Sequence, residues 1–264
     1  HTHVRTLPAM LKDAGVKSGL IGKDHIAPQH VYPFDYDVRC NPWQTETLTE
    51  ATADFMNLVD DQPFYLQVAS LFPHRVGGGF SQDVPGGRLP EMTFYDPNDV
   101  IVPDFLPDHP DVRQDLADYY NFVTRYDDFV GRVFRELDKA GRLDDTLVMV
   151  TTDHGLPFPG AKASSFDTGH NCPLLIRSPK GQSAGQHTDA LINWTDFLPT
   201  ITDFLNVPDN SIPDDLTGRS LLPIVENPHI EGFDETYFSH SFHEIVNYYP
   251  YRVARNRKYK YVRN

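Results

Sequence analysis

The chain has 264 residues, with 23 Lys and Arg against 37 Asp and Glu, a formal charge of −14 and two cysteines. So large an acidic surplus argues against a nucleic-acid or anionic-membrane surface; an anionic ligand must be met locally, by a metal ion and a few inward Lys, Arg and His. The sequence has no apolar run of about 18 residues that would span a membrane, its two cysteines imply no disulfide framework, and its length suits one α/β domain with at most a small appendage.

In chain order, Val4, Leu7, Met10, Leu11 and Ala14 recur at helical spacing, with Pro8 early and Gly15 as a stop, which predicts a helix over 4–14. Residues 18–22 read as a short strand that delivers Lys23-Asp24-His25. Thr47-Leu48-Thr49-Glu50 is a capping-box pattern opening a helix to about Val59. Residues 63–70 form a buried-type strand ending in Leu71-Phe72-Pro73-His74-Arg75. The stretch 73–110 holds seven Pro and five Gly, an irregular excursion of the length used for lids and pocket walls. From 112 to 137, Leu116, Tyr119, Val123, Tyr126, Val130, Val133 and Leu137 mark one long helix.

That helix feeds Leu147-Val148-Met149-Val150, an apolar strand that stops on Thr151-Thr152-Asp153-His154-Gly155. Ligands of parallel sheets sit at strand carboxyl ends, where Asp153 and His154 offer a hard oxygen and an imidazole nitrogen to a divalent cation. Read by themselves they fit equally a turn whose Asp caps the next segment. A Pro-bearing loop then brings Lys162 close. Residues 173–177 and 191–194 read as strands, Asp196 starts a helix through Leu205, and 216–221 turns into a short helix. Residues 237–264 alternate, rich in Tyr, Val, Arg and Lys, as antiparallel strands do.

This alternation predicts an α/β fold: a mostly parallel central sheet with helices on both faces over 1–230, and the start of a smaller C-terminal antiparallel subdomain over 231–264. Such a sheet gathers strand ends on one edge. Lys23, His25, His74, Asp153, His154 and Lys162 would then surround a tetrahedral anion beside a cation.

At these positions the sequence resembles the sulfatases of the alkaline-phosphatase superfamily. Gly22-Lys23-Asp24-His25 is similar to the family's Gly-Lys-x-His segment, Pro73-His74 to its sulfate-contacting His, Thr151-Thr152-Asp153-His154-Gly155 to its second metal motif, and Lys162 to the basic residue that follows. Among sulfatases, those of sulfamidase type are most similar. That likeness extends to Val31-Tyr32-Pro33-Phe34-Asp35, Tyr95-Asp96-Pro97, Leu156-Pro157-Phe158-Pro159, Leu216-Thr217-Gly218-Arg219-Ser220-Leu221-Leu222-Pro223 and His243-Glu244 with Tyr249-Pro250.

The resemblance implies an alkaline-phosphatase-like fold and a hydrolase of sulfate esters or sulfamates, with an N-sulfoglucosamine-type sugar as substrate. It also implies one divalent cation of calcium type and a formylglycine nucleophile made from Cys or Ser. Asp153 and His154 would bind the metal, and Lys23, His25, His74 and Lys162 would be catalytic. His243, Glu244 and Arg252 would contact the substrate. A periplasmic, extracellular or lysosomal location is expected, with no nucleic acid or membrane span and a homo-oligomer open.

Two departures matter. Cys40-Asn41-Pro42-Trp43-Gln44 has Gln where the nucleophile motif needs Arg, and Cys172 is followed directly by Pro. The early Asp-Asp metal pair is also absent. Both are expected upstream of His1, so the N-terminal part of the fold is expected to be missing. This polypeptide alone would then be inactive and would leave a groove beside the strand ending at Asp153. The alternatives are another superfamily hydrolase, such as an aryl or choline sulfatase or a phosphonate monoester hydrolase, or a non-catalytic anion-binding fragment.

Overall fold

Apolar and small side chains bury nearly all of Lys17–Gly22, which forms β1, the middle strand of a parallel three-stranded sheet. The structure is a computed structural model that describes residues 3–75, 79–80, 94–181, 183–243 and 248–264. Contacts divide the chain into two compact units, His1–Leu143 and Asp144–Asn264.

In the first unit, α1 (Leu7–Asp13) precedes β1, and β2 (Tyr36–Val38) and β3 (Phe64–Ala69) flank it in the order β2-β1-β3. Gly22 pairs with Ala69, so β1 and β3 end level. Helix α2 (Thr45–Val59) buries Leu48, Phe55 and Val59 completely. It starts at Thr45 behind an N-cap at Gln44, so Thr47 and Glu50 lie inside the helix and make no capping box.

Helix α3 (Pro110–Lys139) runs longer than its pattern, and its buried face differs from the expected stripe. Leu116, Ala117, Asn121, Phe122, Arg125, Phe129 and Leu137 are buried, while Val123 is 40% exposed. Aromatic and aliphatic residues stand on several sides of this helix, so spacing alone did not fix which side packs.

In the second unit, β4 (Val148–Thr151) pairs with β5 (Leu174–Arg177) after the short α4 (Asp167–His170). The pairing is antiparallel, with Thr151 opposite Leu174. Two four-residue apolar runs read alike in either direction. Among the described residues β4 pairs with β5 alone.

Residues 191–194 form no strand. The Asp196 carboxylate accepts from the N–H of Asn193 at 2.7 Å, and the Asn193 side chain accepts from Thr195 N–H at 3.3 Å, which turns the chain into α5 (Phe197–Phe204). Beyond α6 (Leu222–Glu226), the core of this unit gathers Leu221, Ile224 and Phe233 against Leu174, Ile176 and Phe197. Strands β6 (Glu235–Phe242), β7 (Tyr248–Asn256) and β8 (Lys260–Arg263) make the expected antiparallel sheet. Among the described residues no helix is long and apolar enough to cross a membrane.

Candidate active site

The first unit places Lys23 through Gly22. At φ +87° and with a virtual Cβ 2.3 Å from Ala69 O and 2.7 Å from Leu48 Cδ2, this position admits only glycine. The chain therefore leaves β1 against the end of β3, and the Lys23 N–H donates to Ala69 O at 2.9 Å. Arg39 meets Asp24 at 2.6 Å and forks onto Asp37 through two bonds of 2.9 Å, so the Asp24 carboxylate is balanced before it can offset Lys23. His25 is exposed, two residues on.

His74 follows β3 in a braced turn. The Leu71 N–H donates to Pro42 O at 3.0 Å, the Ser70 hydroxyl to Pro42 O at 3.3 Å, the Phe72 N–H to Ser70 Oγ at 3.0 Å and the His74 N–H to Leu71 O at 2.6 Å. Lys23 and half-buried His74 thus issue from adjacent strand ends.

In the second unit, the His154 ring places Nδ1 2.8 Å from Gly155 O. A carbonyl only accepts, so this contact assigns a proton to Nδ1; in the neutral ring the lone pair is then on Nε2. Nε2 faces Asp153 Oδ1 at 3.6 Å. A carboxylate oxygen, 70% exposed as a side chain, beside an acceptor nitrogen is chemically suited to a divalent cation. Among the described residues no group of three or more His, Cys, Asp or Glu is poised for a metal, so this pair supplies part of a coordination shell.

The loop to Lys162 is closed by its own backbone. The Lys162 N–H donates to Leu156 O at 3.0 Å and the Ala161 N–H to Phe158 O at 3.1 Å, with Phe158 and Ala161 buried beneath. Just beyond, Tyr251 Oη donates to Ser164 O at 2.8 Å, and Lys260 Nζ donates to Ser165 O at 2.9 Å and to Asp167 Oδ1 at 2.7 Å. Arg255 reaches the same Asp167 oxygen at 2.6 Å. Sequence reasoning missed this anchor, although Arg255 and Lys260 face each other in the β7–β8 register.

Burial alone would raise the Asp167 carboxyl, but the hydrogen bonds and charges of Arg255 and Lys260 outweigh it and bring it down to about 2. A depressed carboxyl stabilises the fold above its unfolded value near 3.8, and that contribution fades as pH falls towards about 2. With Asp167 45% exposed, the contribution is screened to about 1 kcal/mol. Asp167→Asn is expected to lower the urea midpoint at pH 7, with the gap to the parent protein narrowing at pH 3; a gap independent of pH would remove the ionic account.

His243 is half-buried at the end of β6, and Glu244 lies outside the described residues. Arg252 is exposed on β7, opposite Ser239 and Arg263. Burial and the nearby Asp153 charge push the Cys172 thiol up to about 11, and burial raises Cys40 too, so both remain neutral thiols at pH 7.

The first unit thus carries Lys23 and His74 at adjacent strand ends, and the second carries the Asp153–His154 pair with Lys162 in the loop that follows. The chain belongs to the sulfatase family, whose model, described as Sulfatase, matches residues 1–207. A second family model, described as N-sulphoglucosamine sulphohydrolase, C-terminal, matches residues 161–264.

Human N-sulphoglucosamine sulphohydrolase is 39% identical over 99% of this chain and 57% of its own length. An ulvan-active sulfatase of Formosa agariphila is 26% identical over 99% of this chain and 50% of its own. The chain thus spans about half the length of the curated relatives it matches.

Among solved structures, the phosphonate monoester hydrolase of Silicibacter pomeroyi superposes with a TM-score of 0.78 at 18% identity, covering 100% of this chain and 72% of that one. A protein solved with its substrate D-glucosamine-2-N,6-O-disulfate gives a TM-score of 0.72 at 20% identity, covering 99% of this chain and 73% of that one. These likenesses establish the alkaline-phosphatase-like fold expected from the sequence.

Proposed function

We propose that the protein is a sulfatase of sulfamidase type that hydrolyses a sulfamate or sulfate ester on an N-sulfoglucosamine-type sugar. One observation carries the reading: the 39% identity to the human sulphohydrolase runs over 99% of the chain. It therefore takes in both the Lys23–His74 segment and the Asp153–Lys162 segment.

In this reading Lys23 and His74 grip sulfuryl oxygens from adjacent strand ends. Lys162 would bridge the sulfate and the nucleophile, and exposed His25 would orient or protonate the nucleophile's hydroxyls. Asp153 and His154 would hold the divalent ion, calcium being favoured by the hard carboxylate oxygen. When bound, that ion supplies charge stabilisation at the sulfuryl oxygens. The nucleophile, a formylglycine in this family, would come from outside residues 1–264, because neither cysteine stands in the required motif. Arg252 and His243 would meet the sugar side of the substrate.

The test is a substrate ranking with the full-length, matured protein. N-sulfoglucosamine is expected to give a kcat/KM at least about tenfold above glucosamine 6-sulfate, an aryl sulfate and a phosphonate monoester, since a site built to hydrogen-bond one leaving group rejects those lacking it. A preference for the aryl sulfate or the phosphonate would replace the sulfamate reading by the corresponding relative's chemistry.

A further inference from the structure

Helix α3 buries two polar side chains, Asn121 at 2% and Arg125 at 1% exposure. Asn121 has an ordinary reason, since its Oδ1 accepts from the Tyr95 N–H at 3.3 Å. Arg125 stands in an aromatic nest. Its guanidinium carbon lies 5.3 Å from the Phe72 ring centroid and 5.9 Å from that of Phe122. The two rings meet edge to face at 5.1 Å and 90°, and Trp43 closes on Phe72 at 5.0 Å.

Phe72 is 4% exposed and precedes His74 by two residues. On the other side of His74, Arg75 ion-pairs with Asp115, also on α3. His74 therefore sits between two residues fastened to one helix, in a turn whose start is tied to Pro42.

A guanidinium over ring faces is attracted by the ring quadrupole, most strongly when water is excluded, and its plane fixes ring orientation as no aliphatic chain does. Burial lowers the Arg125 pKa, a sign of the desolvation this placement costs. An apolar residue of similar length is often as good for stability at a buried charged position. Set over the Phe72 ring, the guanidinium gives that ring a directional hold.

We propose that Arg125 is a positioning residue for His74, acting through the ring of Phe72. This rests on the reading that His74 contacts the sulfuryl group. The guanidinium and the Phe122 edge set the plane of Phe72, and the rigid Phe72-Pro73 step carries that setting to the imidazole. A displacement of about 1 Å at such a group is enough to cost on the order of a hundredfold in turnover.

The test uses the full-length, matured enzyme with Arg125→Met, Arg125→Lys, Phe72→Leu and, as a packing control on the same helix, Phe129→Leu. Arg125→Met and Phe72→Leu are expected to lower kcat by about tenfold or more, with Arg125→Lys intermediate and Phe129→Leu near the parent. On a His74→Ala background Arg125→Met is expected to cost less than about twofold, because the residue it positions is gone.

The His74 ring signal in histidine-labelled NMR spectra is expected to shift or broaden in Arg125→Met and to stay put in Phe129→Leu. Undiminished loss on the His74→Ala background, or an unmoved His74 signal in Arg125→Met, would overturn the proposal. The NMR arm decides even if sulfated sugars prove not to be substrates, which separates this inference from the functional reading. Should Arg125→Met not fold, Phe72→Leu and Arg125→Lys carry the same comparisons.

Discussion

Lys162→Ala in the full-length enzyme is expected to lower kcat by about 10² to 10³, the usual loss for one donor aimed at developing transition-state charge. The fold should survive, because the loop is held by backbone bonds that the side chain does not make: Lys162 N–H to Leu156 O at 3.0 Å and Ala161 N–H to Phe158 O at 3.1 Å. Local cations also matter more in a chain of formal charge −14, whose general field repels any anionic ligand. Lys162→Arg keeps the charge and is expected to recover activity to within about tenfold of the parent. Parallel measurement of kcat and the urea midpoint decides the role. Unchanged kcat removes Lys162 from the site, and a collapsed midpoint with proportionate loss of activity reduces it to a structural residue.

Strand ends were the most legible part of the sequence. β1, β3 and β4 are short apolar runs whose exits carry Gly, Pro, Asp or His, and both signals are local. Direction of pairing is not local, so the antiparallel β4–β5 pair was not legible: Leu174-Leu175-Ile176-Arg177 looks the same whichever way its neighbour runs.

Two further features were hidden for related reasons. Arg125 in a helix reads as a solvated residue, and nothing in a single sequence shows that Phe72, 53 positions earlier, covers it. Asp167 reads as a turn carboxylate until β7 and β8 bring Arg255 and Lys260 to it. Of the expected stripe on α3, Leu116 and Leu137 are buried and Val123 is exposed, because the packed face turns to include Phe122, Arg125 and Phe129. Spacing identifies residues able to do chemistry more readily than those that hold them in place, since the holders are chosen by contacts distant in sequence.

Gly155→Ala is expected to be among the most damaging conservative changes in the second unit. A Cβ at Gly155 would lie 1.9 Å from Thr168 O, 2.8 Å from Thr168 C and 3.0 Å from Gly169 C, all backbone atoms that no rotamer change can move. The same approach is what lets the Gly155 N–H donate to Gly169 O at 2.8 Å. Inserting one methyl group must therefore push the exit of β4 off the segment before β5, at a cost of about 3 kcal/mol by the usual penalty for overpacking a tight contact.

The consequence reaches the chemistry because Gly155 O also orients His154 through Nδ1 at 2.8 Å. When Gly155 moves, the His154 ring turns relative to Asp153, and affinity for the divalent ion proposed at this pair is expected to fall by about 10- to 100-fold, as when an orienting partner of a metal ligand is lost. Calorimetric titration with calcium at a temperature where the variant is still folded, together with its urea midpoint, checks both halves. Parent-like values of both would mean that the backbone here yields easily and that Gly155 is not what sets the Asp153–His154 pair.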